Sequence, residues 1–171
     1  TTFTFCVQLE AGIPLIQIPD SGGGEEGKLA DVYPLSILVA EDNILNQKLI
    51  VRIMEHYGYH IDIVDNGNGV IQKLAQQDYD LIFMDVQMPE MSGFETASLI
   101  YERQKLKNIP IIFITAHDYN EENIFKGYKV GAVDYIYKPI NPEYLRAKVK
   151  VFIELYKKNS NRYPNHRGGF I

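Results

Sequence analysis

Five short apolar runs alternate with amphipathic stretches between residues 36 and 158, and this alternation constrains the fold more than any other feature. The apolar runs span residues 36–40, 61–64, 80–84, 111–114 and 133–136. Helical spacing and helix-start signals lie between and after them, at residues 44–57, 70–74, 92–101, 118–128 and from 141 onwards. Strands that are apolar on both faces are typical of a parallel sheet covered by helices on both sides. We therefore expect a three-layer α/β/α arrangement.

Charge and cysteine content exclude several classes of protein. The chain has 171 residues and a formal net charge of −5, which argues against binding to nucleic acid. Cys6 is the only cysteine, so neither an internal disulfide nor a cysteine-rich zinc site is available. No apolar run is long enough to cross a bilayer, so we expect no direct membrane contact and a cytoplasmic location. The opening Thr1-Thr2-Phe3 resembles a cut from a longer parent protein, which leaves room for a membrane anchor elsewhere in that parent.

Polar side chains follow the predicted strands at their carboxyl ends. Glu41 and Asp42 follow the first strand, Asp85 the third, Thr115 the fourth and Lys138 the fifth. In a parallel sheet these ends meet at one edge, where ligands bind. Three carboxylates at one place repel each other unless a cation compensates, and Mg²⁺ suits such a set of oxygen ligands. With a lysine and a hydroxyl beside them, these groups form the set required for phosphoryl transfer to a carboxylate.

The motifs around these residues resemble those of the receiver domains of response regulators in two-component signalling. They are Glu41-Asp42-Asn43, the segment from Met84 to Gly93, Thr115-Ala116 and Lys138-Pro139. The resemblance implies a flavodoxin-like (CheY-like) fold with a five-stranded parallel sheet of order 2-1-3-4-5. Each residue alone has an ordinary structural explanation, so the joint placement at one edge carries the interpretation.

The resemblance also implies a role for each residue. Asp85 is the phosphoacceptor, and Thr115 and Lys138 hold phosphoryl oxygens after transfer. Asp42, Asp85 and the backbone carbonyl of Gln87 bind Mg²⁺, while Glu41 assists through water. The Lys138-Pro139 bond is expected to be cis.

Three further residues are candidates for regulation. Tyr135 matches the aromatic switch that turns inward when Thr115 moves toward the phosphoryl group. Gln87 and His117 each lie two residues after a site residue, and we expect them to set the lifetime of the phosphoryl group.

The segments outside the receiver predict a larger parent. Residues 1–12 resemble the last strand of a histidine kinase ATP-binding domain. Residues 13–34 have the composition of a linker, residues 35–158 form the receiver domain, and residues 159–171 are expected to be a flexible tail. This order is that of a hybrid sensor histidine kinase, which would act in a phosphorelay as a transferase. Whether the receiver itself counts as an enzyme is a matter of definition, because it promotes its own phosphorylation and dephosphorylation but is consumed as a substrate.

Partners and alternatives follow from the same resemblance. The expected phosphodonor is the dimerisation and phosphotransfer domain of a histidine kinase, or a histidine phosphotransfer protein. A homodimer through the predicted fourth helix (residues 118–128), the fifth strand and the last helix is left open. The alternatives are the receiver of a stand-alone response regulator and a receiver-like interaction module that is not phosphorylated.

Overall fold

A five-stranded parallel sheet forms the centre of the molecule in the computed structural model, which describes residues 28–116 and 134–160. Its strands are β1 (Ile37–Ala40), β2 (Ile61–Val64), β3 (Leu81–Asp85), β4 (Ile111–Thr115) and β5 (Asp134–Tyr137). The strand order is β2-β1-β3-β4-β5, and every neighbouring pair is parallel. The predicted fold class and strand order are therefore confirmed.

Burial explains why the central strands carry no polar alternation. All residues of β1, β3 and β4 are buried, whereas β2, at one edge of the sheet, is only partly buried. Ile37 of β1 pairs with Ile61 on one side and Leu81 on the other, so the central strands have neighbours in the sheet as well as above and below it.

Helices cover both faces of the sheet. They are α1 (Leu29–Val32), α2 (Ile44–His56), α3 (Gly67–Gln76), α4 (Gly93–Tyr101) and α5 (Pro142–Ser160). One core contains the apolar side chains of α2 and α5 together with one face of the sheet, including Ile53, Val149 and Val39. The other core contains those of α3 and α4 with the opposite face, including Leu38 and Phe113.

Helix boundaries follow local hydrogen-bonding chemistry. The predicted capping box at the start of α4 is present, because Ser92 and Glu95 each bond the other's backbone N–H. The Asn141 side chain accepts from the N–H of Glu143 at 2.8 Å and so begins α5, as predicted. After α2, Gly58 adopts a φ of +88°, the left-handed conformation that commonly ends a helix.

The end of the predicted linker contains structure that the sequence pattern did not predict. Residues 29–32 form the single turn of α1, and the Ala30 N–H donates to the Tyr57 carbonyl at 3.1 Å. The Tyr59 hydroxyl donates to the Tyr33 carbonyl at 2.9 Å, and Leu29 packs against the core below α2. Tertiary contacts therefore attach these residues to the receiver domain.

Several predicted segments lie outside the described residues. They are the kinase-like strand of residues 1–12, the linker up to residue 27, the helix of residues 118–128 and the tail from residue 161. Among the helices that are described, none has the length and apolar character needed to span a bilayer.

Candidate functional site

The carboxyl edge of the sheet brings the predicted site residues together. Asp85 and Thr115 are the last residues of β3 and β4, and Glu41 follows β1 directly. Lys138 follows β5, where its backbone N–H donates to the Thr115 carbonyl at 2.7 Å. The Lys138-Pro139 peptide bond is cis, as the resemblance implied.

Lys138 links two buried carboxylates. Its Nζ lies 2.5 Å from Oδ2 of Asp85 and 2.9 Å from Oε2 of Glu41. The other Asp85 oxygen, Oδ1, accepts from the backbone N–H of Gln87 at 3.0 Å. The relative exposure of Glu41 is 0% and that of Asp85 is 2%, so the ammonium compensates charges that water cannot reach.

Burial and pairing shift the ionisation of this pair. Burial raises the pKa of Asp85 above its usual value, and the hydrogen bond from Lys138 offsets that effect only in part. Burial alone would lower the pKa of Lys138, but its hydrogen bonds to Asp85 and Glu41 outweigh this effect and leave the pKa raised. The lysine therefore stays charged at neutral pH, next to the poorly solvated carboxyl group of Asp85.

Glu41 is held by residues that the sequence interpretation did not single out. Oε1 of Glu41 accepts from Nδ2 of Asn46 at 2.9 Å, and its backbone carbonyl accepts from Nε2 of Gln47 at 2.6 Å. Both residues lie in the first turn of α2, where the Asn43 side chain caps the helix. Their distance of five and six residues from Glu41 was the available signal, since the first turn of this helix must lie beside the strand end that precedes it.

The acidic residues are close enough to share a cation. Glu41, Asp42 and Asp85 each offer a carboxylate oxygen, and these atoms all lie within 4.8 Å of one another. Asp42 is exposed, so the cluster opens to solvent on one side. Oε2 of Glu41 is buried without a hydrogen-bond partner of good geometry among the described residues, although Lys138 lies nearby. A set of hard oxygen donors with one buried oxygen left over fits a hydrated Mg²⁺ ion.

The predicted switch residues lie on the neighbouring strands. Thr115 is buried, and its hydroxyl lies 3.4 Å from the Ala116 carbonyl. Tyr135 has a relative exposure of 7%, and its ring centroid lies 5.7 Å from that of Phe113. In this structure Tyr135 is therefore packed into the core that α3 and α4 share with the sheet.

Of the two residues predicted to set the lifetime of the phosphoryl group, the structure describes Gln87 but not His117. Gln87 is exposed two residues after the end of β3, and its backbone N–H donates to Oδ1 of Asp85. His117 lies outside the described residues.

Comparisons with known proteins agree with this arrangement. The family model of the response regulator receiver domain matches residues 37–150. Hybrid signal transduction histidine kinase K of Dictyostelium discoideum is 34% identical over 165 residues, covering 93% of this chain and 14% of the relative. The histidine-protein kinase BarA of Escherichia coli is 34% identical over 121 residues, covering 71% of this chain and 13% of the relative.

Solved structures of receiver domains are similar to this chain as well. The receiver domain of a signal transduction histidine kinase from Syntrophus aciditrophicus has a TM-score of 0.66 and 28% identity, over 80% of this chain and 96% of that one. That of a sensor histidine kinase from Pseudomonas aeruginosa has a TM-score of 0.64 and 28% identity, over 70% and 98%. The latter structure is described as having a magnesium ion coordinated in the active-site cleft. The chain spans only about a tenth of the length of the curated kinases that it matches.

Proposed function

The chain belongs to the response regulator receiver domain family of two-component signalling, and we propose that Asp85 is its phosphoacceptor, with Mg²⁺ as cofactor. The observation that carries the proposal is the buried carboxylate of Asp85 paired with Lys138 at the carboxyl edge of the sheet. The phosphoryl donor is a phosphohistidine of a histidine kinase phosphotransfer domain or a histidine phosphotransfer protein.

The reaction requires one bond to form and one to break. An Asp85 carboxylate oxygen attacks phosphorus in line, the bond between phosphorus and the imidazole nitrogen breaks, and its electron pair returns to the imidazole. Lys138 is already 2.5 Å from Oδ2, where its charge can stabilise phosphoryl oxygens as negative charge builds up on them. Water later attacks the phosphorus of the aspartyl phosphate, the bond between phosphorus and the Asp85 oxygen breaks, and inorganic phosphate leaves as the carboxylate is restored.

Mg²⁺, when bound, neutralises charge on the phosphoryl oxygens and orients the reactants. Asp42, Asp85 and the backbone carbonyl of Gln87 would hold it, and Glu41 would act through a bound water. The carboxylate oxygens that lie within 4.8 Å of one another support this assignment, as does Oε2 of Glu41, which has Lys138 nearby but no hydrogen-bond partner of good geometry among the described residues.

The response to phosphorylation involves Thr115 and Tyr135. A phosphoryl group on Asp85 presents oxygens that the Thr115 hydroxyl can bond, and the weak 3.4 Å contact of that hydroxyl with Ala116 offers little resistance to the change. Tyr135 would then be held inward. Gln87 and His117 would set the lifetime of the phosphoryl group, and an unchanged rate of adduct loss after replacing both would contradict that role.

The parent protein is proposed to be a hybrid sensor histidine kinase. The match to hybrid kinase K covers 93% of this chain, which leaves about 12 of its 171 residues unmatched. Because 36 residues precede the match to the family model, the match to hybrid kinase K must include part of the segment before the receiver. The assignment of residues 1–12 to the end of a kinase domain remains a prediction, as does that of residues 13–34 to a linker, whose last residues pack on the receiver domain from Leu29 onwards. The cytoplasmic location and the homodimer remain predictions.

Intact mass spectrometry tests the phosphoacceptor directly. The chain is incubated with acetyl phosphate in the presence or absence of Mg²⁺, together with Asp85→Asn and the control Asp78→Asn, whose side chain is exposed before β3 at the other end of the sheet. We expect a single phosphoryl adduct that requires Mg²⁺, is absent from Asp85→Asn and persists in Asp78→Asn.

The other outcomes distinguish the alternatives. An adduct that persists in Asp85→Asn would refute the assignment of the acceptor. Absence of both an adduct and Mg²⁺ binding would favour an interaction module that is not phosphorylated.

A further inference from the structure

Asn46 contacts the buried acidic residue of the site without belonging to the predicted set of ligands. Its Nδ2 donates to Oε1 of Glu41 at 2.9 Å. Glu41 has a relative exposure of 0%, so in this structure its carboxylate depends on donors from the protein. The contact therefore determines how a fully buried carboxylate is oriented.

The two oxygens of Glu41 have different surroundings. Oε1 accepts from Asn46, from the backbone N–H of Asn43 at 3.3 Å and from Nζ of Lys138 at 3.1 Å. Oε2 has no hydrogen-bond partner of good geometry in the described part of the chain and has only the nearby Lys138 charge. The protein thus places three donors on Oε1, whereas Oε2 has only the ion pair with Lys138 within the acidic cluster.

The backbone of Glu41 is fixed as well. Nε2 of Gln47 donates to the Glu41 carbonyl at 2.6 Å, so two consecutive residues of α2 hold this residue by its side chain and by its main chain. Because α2 is capped by Asn43 and buries Ile53 and Met54 against the sheet, its first turn provides a rigid support. A carboxylate held in this way does not have to be reoriented when a cation binds.

We propose that Asn46 is a positioning residue that holds Glu41 with Oε2 directed to the water shell of the Mg²⁺ ion. The inference rests on the proposed function, since it concerns the metal of the same site. Asn46 itself touches neither the metal nor the phosphoryl group. Partners that orient the ligands of a metal commonly change its affinity by about 10- to 100-fold when they are removed.

Asn46→Ala removes the donor without weakening the helix, because alanine has the higher helix propensity. We expect the dissociation constant for Mg²⁺, measured by isothermal titration calorimetry on the full chain, to rise by about tenfold. The phosphorylation rate with acetyl phosphate at saturating Mg²⁺ should stay near that of the unmodified chain. Leu45→Ala is the matched control, because Leu45 is an exposed, uncharged neighbour on the same turn, and it should leave both values unchanged.

A double-mutant cycle tests whether Asn46 acts through Glu41. In a Glu41→Ala background, adding Asn46→Ala should cause no further loss of Mg²⁺ affinity. Asn46→Leu, which keeps the branched shape and the number of side-chain heavy atoms without a donor, should behave like Asn46→Ala in the unmodified background. These variants separate the hydrogen bond from the packing of the side chain.

Each outcome decides the inference. Unchanged Mg²⁺ affinity in Asn46→Ala, while the unmodified chain binds Mg²⁺, overturns it and leaves the proposed function intact. A further loss of the same size in the Glu41→Ala background also overturns it, because Asn46 would then act independently of Glu41. If the unmodified chain does not bind Mg²⁺, the proposed function fails and this inference fails with it.

Discussion

At the scale of single residues, the site depends on a charge balance that local sequence does not reveal. Glu41 and Asp85 are almost completely buried, and Lys138, about 100 and 50 positions further along the chain, is the cation that compensates them. Removing one member of a buried ion pair costs more than the pair contributes, because the remaining charge is left without compensation. The lysine is therefore important for the folded state as well as for the proposed phosphoryl transfer.

Lys138→Met should lower the free energy of unfolding by about 3 kcal/mol at neutral pH without Mg²⁺, as expected for a buried carboxylate that loses its partner. Urea unfolding followed by circular dichroism measures this change. Lys148→Met is the matched control, because Lys148 pairs with Asp134 where both side chains are about one-third exposed. Lys148→Met should lower the free energy of unfolding by only about 0.5 kcal/mol. Equal losses in the two variants would contradict the account of Lys138.

Residues at strand ends could be predicted from sequence, whereas for the adjoining helix the sequence places the first turn near the site without showing which side chains contact it. Asp85 and Thr115 directly follow apolar runs, so the direction of a parallel strand determines the edge at which they lie. Asn46 and Gln47 have the composition of a solvated helical face. Their contacts with Glu41 depend on how α2 is rotated against the sheet, which tertiary packing decides.

At the scale of elements, the central strands could be predicted from local sequence, whereas α1 depends on tertiary contacts. The apolar runs and the capping signals Ser92 and Asn141 predicted their elements because each is a local property of the sequence. The four residues of α1 have no side-chain cap and are too few to form an isolated helix. Contacts with the turn around Gly58 hold α1 in place. Because these contacts are tertiary, the composition of the linker gave no indication that residues 29–32 are helical.

Gly58→Ala should destabilise the chain by about 1–2 kcal/mol, because φ is +88° and the left-handed conformation is costly for a residue with a Cβ. The added Cβ would also lie 2.8 Å from the Cβ of Lys28. Chemical denaturation of Gly58→Ala, Lys28→Gly and the double variant measures the two contributions. If α1 packs on this turn as described, the double variant should be more stable than the sum of the single effects predicts. Strict additivity would indicate that Lys28 does not lie against Gly58 in solution.

At the scale of the whole molecule, the two cores anchor the sheet while the site edge remains polar. Three tyrosines lie in or beside these cores, before the strands β2, β3 and β4 rather than at their acidic carboxyl ends. Tyr59 belongs to the core that α2 and α5 form with one face of the sheet, and Tyr79 belongs to the core that α3 and α4 form with the other. Tyr101, at the end of α4, packs against the core that α3 and α4 form with the sheet. The ionisation of these phenols is therefore linked to the stability of the fold rather than to the chemistry of the site.

Burial raises the pKa of Tyr59, Tyr79 and Tyr101 to about 12 in each case, from an unperturbed value of 10.0. Between these values the unfolded chain loses phenolic protons that the folded chain keeps, so the unfolded state binds fewer protons and stability falls as pH rises. The contribution of these tyrosines should be fully present below pH 10 and lost progressively toward pH 12. Urea unfolding from pH 9 to 12 should show this decline, and Tyr79→Phe should make it shallower because phenylalanine has no proton to lose. A free energy of unfolding that stays constant up to pH 11.5, or a decline that is equally steep in Tyr79→Phe, would show that these phenols do not stabilise the fold through burial.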